Sequence, residues 1–222
     1  MRSPWYKVQH VIDEAVARLE YCFPTTFQPD RLDFGCYLEA STESPVTFAT
    51  LGDAIGVAAL ARAIDFDNPP PFLVMALYHC TAFDASSLLD PEVYNDGDEA
   101  RLTNKDLRIC LDAEHRLLGY GGLIMSAVAS AVEKPLCDSP TCRSSVQRLL
   151  CERVRDSFAM LAEPLRACSK ILSDHAQQHP DKRICETCSA ELLEDMEVAR
   201  RIAFQHLDDV FSISTWPARE EI

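Results

Sequence analysis

The sequence predicts an all-α protein, with about seven to nine helices in a single irregular domain over residues 1–222. Apolar residues recur at intervals of three and four along most of the chain, as on the buried face of a helix. No segment shows the alternation of apolar and polar residues that is typical of strands. Hydrophobic residues make up 47% of the chain and charged residues 25%, which is enough apolar material to bury a core.

Proline residues delimit the first two predicted helices. The first helix carries an apolar stripe made of Val8, Val11, Ile12, Ala15, Leu19, Cys22 and Phe23. Pro24 ends it, because proline cannot continue the hydrogen-bond ladder. Ser44 can cap a helix with its hydroxyl, and Pro45 suits the first helical position. We therefore expect a second helix over residues 45–66.

Glycines and prolines also shape the segments that follow. Gly52 and Gly56 lie four residues apart, a spacing that would let another helix approach closely. The prolines of 69–71 force an extended break before residues 72–80, which are apolar nearly all round and predict a helix in the core. Residues 84–100 are rich in Asp, Ser, Asn and Gly, and they predict a long surface loop.

The middle of the chain contains a capping signal followed by a group of glycines. Thr103 and Asp106 fit a capping box with Asp in place of Glu or Gln, so a helix is expected to open there. Its buried face would contain Leu107, Cys110, Leu111 and Leu117 or Leu118. The glycines at 119, 121 and 122 are expected to break this helix before residues 124–132 resume it.

Three further helices complete the predicted fold. The first begins near Cys142 and carries Val146, Leu149, Leu150, Val154, Phe158 and Leu161. A short helix over residues 165–175 follows Pro164. The last long helix carries Cys188, Leu192, Met196, Ala199, Ala203, Leu207 and Val210 on one face. Residues 211–222 are expected to form a C-terminal tail that packs Phe211 and Trp216 onto the domain.

The charge balance limits the classes of partner. The chain has 35 acidic and 21 basic residues, which give a net charge of -14. Such a surface repels phosphate backbones and anionic lipids, so neither nucleic acid nor a membrane surface is an expected partner. The sequence does not indicate an oligomeric state.

The N-terminus and the apolar segments indicate the compartment. The first eight residues lack the apolar core of a secretory signal, and no stretch approaches the ~20 apolar residues of a membrane span. We therefore expect an intracellular protein of the cytoplasm or nucleus. In that setting the ten cysteines indicate buried thiols and a metal site, because disulfides are rare inside cells.

Four of the cysteines form two closely spaced pairs. Cys137 and Cys142 precede one long predicted helix, and Cys185 and Cys188 form a C-x-x-C motif at the start of another. Zinc in structural sites takes four tetrahedral ligands, which two thiolate pairs can supply. The partial positive charge at a helix N-terminus also favours thiolates. The sequence therefore predicts one structural zinc ion that fastens the starts of the two helices.

Other interpretations of these cysteines stay open. Cysteine is often buried as a small apolar residue, so all four could be reduced thiols near the core. The C-x-x-C pair could also act as a redox dithiol, although it lacks the strand-then-helix context of thioredoxin. His175 and His179 precede Cys185 and could replace one of the ligands. The other six cysteines fall largely on apolar stripes, where core packing explains them.

Motifs typical of catalysis are missing from the sequence. The chain has no glycine-rich phosphate loop, no nucleophile elbow and no HExxH helix. The acidic cluster at Glu191, Glu194, Asp195 and Glu197 is typical of a solvated helix face. We therefore expect a protein that is not an enzyme.

Five segments occur in an order that resembles a known family. They are residues 19–24 (LEYCFP), residues 60–78, residues 102–111 with LTNKDL, the two cysteine pairs, and residues 211–216. This order is similar to that of the helical region that follows the BTB/POZ domain in the large BTB-protein families of mushroom-forming fungi. The resemblance spans nearly the whole chain.

The resemblance implies a non-enzymatic adaptor that binds protein partners beside a BTB domain. In that family the BTB domain dimerises and can recruit partners such as cullin-type ubiquitin ligases. The BTB domain itself is absent from these 222 residues, so neither property is expected of this chain alone. A thiol-based redox sensor or metal-responsive sensor that uses Cys185 and Cys188 is the alternative function.

Overall fold

A computed structural model describes residues 5–29, 32, 46, 50, 52–94, 97–133, 137, 139–155, 163–181 and 183–214. The helices within them are α1 (Trp5–Cys22), α2 (Asp53–Ile64), α3 (Phe72–Cys80), α4 (Ala85–Leu89), α5 (Asn104–Glu133), α6 (Pro140–Arg155), α7 (Cys168–Gln178), α8 (Glu186–Gln205) and α9 (Leu207–Phe211). Two short strands, β1 (Glu92–Val93) and β2 (Glu99–Ala100), lie between α4 and α5. The prediction of an all-α fold with about seven to nine helices is confirmed.

The chain divides into two compact units. The first unit combines residues 1–111 with residues 211–222, and the second unit is formed by residues 112–210. Helix α5 belongs to the first unit up to Leu111 and to the second unit from Asp112. The proposal of a single domain over residues 1–222 stays a prediction. Among the described residues, no helix is both long enough and apolar enough to cross a membrane.

Helix α3 forms the centre of the first unit. All nine residues of Phe72–Cys80 are buried, which confirms the predicted core helix. Helix α2 packs beside it and buries Ala54, Ile55 and Ala58, small and branched side chains that let two helices lie close together. The core of this unit therefore derives from the short apolar helix that the prolines of 69–71 separate from α2.

The segment predicted as a surface loop is more ordered than expected. The described residues of this segment, 84–94 and 97–100, are mostly exposed, but they contain α4 and an antiparallel hairpin in which Glu92 pairs with Ala100. The Asp84 carboxylate caps α4 by accepting a hydrogen bond from the Ser87 N–H at 2.8 Å. Gly97 turns the hairpin with a φ of 87°, a conformation that glycine adopts readily.

Gly52 and Gly56 face the hairpin instead of another helix. A Cβ atom at Gly52 would overlap the Glu92 carboxylate, and one at Gly56 would overlap the Tyr94 hydroxyl. The prediction that another helix approaches these glycines is therefore wrong, because the neighbouring element is the hairpin. The spacing was still informative, because the side chains of Glu92 and Tyr94 occupy the space that a Cβ atom at either glycine would need.

The second helix begins later than the sequence predicts. Val46 and Thr50 lie in bends, and α2 starts at Asp53. The Asp53 carboxylate accepts a hydrogen bond from the Thr50 N–H at 3.0 Å, which holds the chain in a turn ahead of the helix. The predicted cap and first position, Ser44 and Pro45, lie outside the described residues.

Helix α5 runs through all three glycines without a break, so the expected interruption at 119–122 is wrong. Its 30 residues keep one apolar face, with Leu117, Ile124 and Val128 buried at helical spacing. Each glycine costs the helix ~1 kcal/mol relative to Ala, which the burial of this continuous face outweighs. The Thr103 half of the predicted capping box is present: the Asp106 N–H donates to the Thr103 hydroxyl at 3.1 Å, and that hydroxyl donates to the Asp106 carboxylate at 2.7 Å.

The core of the second unit is a cluster from α5, α6, α7 and α8. It contains Ile124, Val128, Ala131, Val146, Leu149, Cys168, Ile171, Leu192, Met196 and Ala199. Five of them are residues that the sequence assigns to the buried stripes of the later helices, namely Val146, Leu149, Leu192, Met196 and Ala199. Phe158 and Leu161, which were assigned to the same stripe as Val146, lie outside the described residues.

The C-terminal helices differ from the prediction in two details. The short helix predicted over 165–175 instead occupies Cys168–Gln178, and Leu165 is buried in the turn that precedes it. The last predicted helix is divided, because α8 ends at Gln205 and α9 begins at Leu207. Phe211 is fully buried, and Trp216 lies outside the described residues.

Candidate metal centre

The first cysteine pair lies at the start of α6. The Ser139 carbonyl accepts the N–H of Arg143, and the Ser139 hydroxyl accepts the N–H of Cys142 at 3.4 Å. Pro140 occupies the first helical position, for which its fixed backbone dihedral is suited. This Ser-Pro start puts Cys142 in the first turn of α6 and Cys137 in the segment just before it.

The second cysteine pair lies at the start of α8. Cys185 is the N-cap residue, and its carbonyl accepts the N–H of Ser189 at 2.9 Å. Cys188 falls three residues into the motif, in the first turn of the helix. Both pairs therefore place one cysteine inside a first helical turn and one just before it, as the sequence predicts.

The fold of the second unit brings the two pairs together. The sulfur atoms of Cys137, Cys142, Cys185 and Cys188 all lie within 4.8 Å of one another. The Cys185 sulfur is 3.8 Å from that of Cys142 and 3.9 Å from that of Cys137. The backbone N–H of Cys185 also donates to the Cys142 sulfur at 3.4 Å, which aligns the two helix starts.

The four thiols have different environments. Cys142 and Cys188 are buried, Cys137 is half-buried and Cys185 is exposed. Burial raises the pKa of Cys142 and that of Cys188. The backbone N–H of Cys188, together with the neighbouring thiols, lowers the pKa of Cys185 to about 7. The cluster therefore contains one thiol that ionises near neutral pH beside three further sulfur donors.

This arrangement could hold a metal ion. A tetrahedral zinc-thiolate centre has Zn–S bonds of ~2.3 Å, which place neighbouring sulfurs ~3.8 Å apart. The two short sulfur separations, 3.8 Å and 3.9 Å, match that value. Four soft sulfur donors also select metals such as zinc over magnesium or calcium. The donor set and the spacing both fit.

None of the other cysteines that the structure describes joins this cluster. Cys22, Cys80, Cys110 and Cys168 are buried, in agreement with core packing. Burial raises the pKa of Cys110 and that of Cys168 to about 12, so both stay protonated at neutral pH. Cys151 is exposed on α6, where core packing does not explain it, and Cys36 lies outside the described residues.

His175 and His179 contact a carboxylate instead of the thiols. His175 Nδ1 is 3.1 Å from Glu152 Oε2, and His179 Nε2 is 2.6 Å from Glu152 Oε1. Partial burial opposes the ionisation of Glu152, but hydrogen bonds and positive charge from the histidines outweigh it and lower the carboxyl pKa. Sequence reasoning missed this grouping, and the spacing of the histidines at i and i+4 was the signal that could have indicated a shared face.

An apolar groove lies between α1 and α2 in the first unit. Its volume is about 390 Å³, and it is lined by Gln9, Ile12, Ala15, Val16, Leu19, Leu60, Ala63 and Ile64. Ile12, Leu60 and Ile64 are more than one third exposed although they are large and apolar. Sequence reasoning placed Ile12 on a buried stripe, since spacing alone does not show which parts of a wide apolar face are covered.

Comparison with known proteins gave no match: no protein-family model, no curated protein and no solved structure is significantly similar to the chain.

Proposed function

We propose that this chain is a non-enzymatic, helical protein-binding domain whose second unit is held together by one structural zinc ion. The observation that carries the zinc part is the convergence of four sulfur atoms within 4.8 Å from the starts of α6 and α8. Because only the folded chain brings the ligands together, the free energy of metal binding adds to the stability of the folded state. A zinc ion at this point would link two helices whose cysteines are 43 residues or more apart in sequence.

The zinc site is tested by metal analysis of protein purified without added zinc. We expect about one equivalent of zinc to stay bound to the thiol cluster, and a chelator to lower the midpoint of thermal unfolding. Cobalt(II) should substitute for zinc and give a thiolate-to-cobalt charge-transfer band. No such band, and less than about one tenth of an equivalent of zinc, would overturn the proposal.

Two serine variants sharpen this test. Cys185→Ser removes a ligand that is exposed, so the change itself leaves no buried polar group unsatisfied. It should weaken the cobalt charge-transfer band and the effect of the chelator, because the centre loses one of its four thiolates. Cys151→Ser alters another exposed cysteine on the same unit and should leave both unchanged. Equal behaviour of the two variants would exclude a specific thiolate centre.

The protein-binding part of the proposal rests on the resemblance to the post-BTB helical region and on the groove between α1 and α2. The groove is lined almost entirely by aliphatic side chains, with Leu60 and Ile64 exposed along one wall. Exposed apolar surface of this kind is costly unless a partner covers it. An amphipathic helix of a partner protein fits such a groove, and the net charge of -14 favours one with basic residues beside its apolar face.

The groove is tested with one charged variant and one matched control. A partner is first identified by crosslinking and then purified, so that its affinity for the full chain can be measured directly. Ile64→Glu should weaken that affinity at least about tenfold, because a carboxylate would be buried in the interface. Val198→Glu changes an exposed apolar residue of α8, outside the groove, and should have little effect. If both variants bind as the wild type does, the groove is not the binding surface.

A thiol-based redox sensor is the second candidate, and the environment of Cys185 favours it. This residue is exposed, and its sulfur is 3.8 Å from that of Cys142. Hydrogen peroxide could oxidise the two thiols to one disulfide with release of two water molecules, which would dismantle the metal site. Peroxide treatment of the zinc-loaded protein, followed by mapping of disulfides and measurement of released zinc, tests this role. Retention of both zinc and reduced thiols at a mild peroxide excess would exclude it.

A further inference from the structure

The group formed by Glu152, His175 and His179 lies in the second unit, on helices α6 and α7. Glu152 follows the core residue Leu149 by three positions on α6, and His175 follows the core residue Ile171 by four positions on α7. Positions three and four apart share one side of a helix. The same packing that buries Leu149 and Ile171 therefore directs Glu152 and His175 toward each other at the edge of the core.

Three metal-ligating atoms converge at this point. One nitrogen of each imidazole and one carboxylate oxygen lie within 4.8 Å of one another. The Glu152 oxygens are 3.1 Å from His175 Nδ1 and 2.6 Å from His179 Nε2, and the two rings are tilted with centroids 5.0 Å apart. Ligands ~2.0 to 2.2 Å from a common ion lie roughly 3 to 3.5 Å from one another, so only a small outward movement of His179 is needed.

From this geometry we infer that Glu152, His175 and His179 form a second metal site, which takes a divalent first-row transition ion such as zinc. Two imidazoles and one carboxylate are the donor set that zinc, nickel, copper and iron(II) accept in proteins. The site offers three protein ligands and leaves a coordination position for water. It does not involve the thiol cluster: Cys142 and Glu152 are ten residues apart on α6, about 15 Å along the helix axis.

The electrostatic surroundings also favour a cation. His175 lies in the last turn of α7 and His179 is the C-cap, where the helix end carries partial negative charge. The His179 N–H donates to the His175 carbonyl at 3.0 Å, which fixes the two residues relative to each other. The His175 side chain is only 1% exposed, whereas those of His179 and Glu152 are 23% and 27% exposed. An ion could therefore enter from the side of His179 and Glu152.

The site is tested by equilibrium dialysis of the full chain against buffered free Zn²⁺, with bound zinc counted per chain. His179→Asn removes the ligand that is partly exposed, and Glu152→Gln removes the anionic ligand while keeping its size. Each variant should bind one equivalent less than the wild type. His115→Asn changes an exposed histidine of α5 and should bind the same amount as the wild type.

Cobalt(II) distinguishes this site from the thiol cluster. His179→Asn and Glu152→Gln should keep the thiolate-to-cobalt charge-transfer band and lose only the cobalt ion that is bound without thiolate ligands. Should the thiol cluster bind no metal, the band would be absent from every protein, yet the zinc difference between wild type and His179→Asn would remain. Equal zinc binding by the wild type, His179→Asn and Glu152→Gln would show that these residues form a hydrogen-bonded group only, and would overturn the inference.

Discussion

Arg62 and Asp106 form a buried ion pair that joins α2 to the first turn of α5. Arg62 Nε donates to both carboxylate oxygens of Asp106 at 3.1 Å, and Nη1 donates to the Phe66 carbonyl at 3.1 Å. The two side chains are 5% and 1% exposed. The Thr103 hydroxyl also donates to Asp106 at 2.7 Å, so one carboxylate serves both the ion pair and the helix cap.

Removing one partner of this pair should strongly destabilise the protein. Asp106→Ala leaves the Arg62 guanidinium buried without its counter-charge, which typically costs about 3 to 5 kcal/mol. Chemical denaturation followed by circular dichroism measures the change in the free energy of unfolding. Arg18→Ala removes an exposed pair with Glu14 and should cost less than about 1 kcal/mol. Similar losses for the two variants would contradict the assigned role of burial.

Glycines in two helices should respond to alanine with opposite signs. Gly119 lies within α5, and a Cβ atom there would meet no atom within 4 Å. Gly119→Ala should therefore stabilise the protein by up to ~1 kcal/mol, the difference in helix propensity. Gly56→Ala would place its methyl group against the Tyr94 hydroxyl and should destabilise by ~1 kcal/mol or more, because the Tyr94 ring must leave its position.

Thermal and denaturant unfolding of both glycine variants would measure these effects. Gly122→Ala serves as a second case within α5, since its Cβ atom would also meet no atom within 4 Å. Stabilisation by Gly56→Ala would show that the Tyr94 side chain moves aside without a cost in free energy. Destabilisation by both α5 variants would show instead that the glycines of this helix have a packing role that the buried face does not explain.

The helices could be predicted from the sequence wherever one strong local signal decided the outcome. The residues of Phe72–Cys80 are apolar except for His79, follow prolines and indicate a buried helix. The break predicted at the glycines of α5 is wrong. Their low helix propensity was considered alone, without the apolar face that continues on both sides of them. Likewise, the partner of Gly52 was a hairpin from a segment whose polar composition indicated a loop.

The candidate metal sites also include one that the sequence predicts and one that it does not. The placement of Cys137, Cys142, Cys185 and Cys188 before and within two helix starts was readable, since caps and cysteine spacing are local features. The contacts of Glu152 with the two histidines could not be predicted, because they depend on how α6 and α7 pack. Local sequence patterns do not contain the register between helices that are distant in sequence.

The cap of α4 should depend on pH. Hydrogen bonds from Ser86 and Ser87 to the Asp84 carboxylate lower its pKa below 3.8. A group with a depressed pKa in the folded state stabilises above its unfolded pKa, and the contribution is lost as the pH falls through the folded pKa. We therefore expect the amide of Ser87 to lose protection from hydrogen exchange only below pH ~4. In Asp84→Asn, which keeps an acceptor, the protection should not change with pH over this range.

Carboxyl resonances followed by NMR would give the pKa of Asp84 directly. A value at or above the usual range for aspartate, about 3.9, would contradict the capping hydrogen bonds. A helix α4 that is equally protected in Asp84→Ala would do so independently, since that variant offers no side-chain acceptor.

Cys185 should be the most reactive thiol of the reduced, metal-free protein at pH 7. With its pKa lowered to about 7, roughly half of it is thiolate, against a few per cent for an unperturbed cysteine of pKa ~8.5. A thiolate of lower pKa is also a weaker nucleophile, so the net gain in alkylation rate should be about threefold. Mass spectrometry after timed treatment with iodoacetamide would rank the sites, with exposed Cys151 as the internal reference. Buried Cys110 and Cys168, whose pKa values are raised to about 12, should be the slowest.

If Cys151 is alkylated before Cys185, the neighbouring N–H and thiols do not stabilise a thiolate there. Addition of zinc should then slow Cys185 alone of these four, because only that sulfur belongs to the cluster.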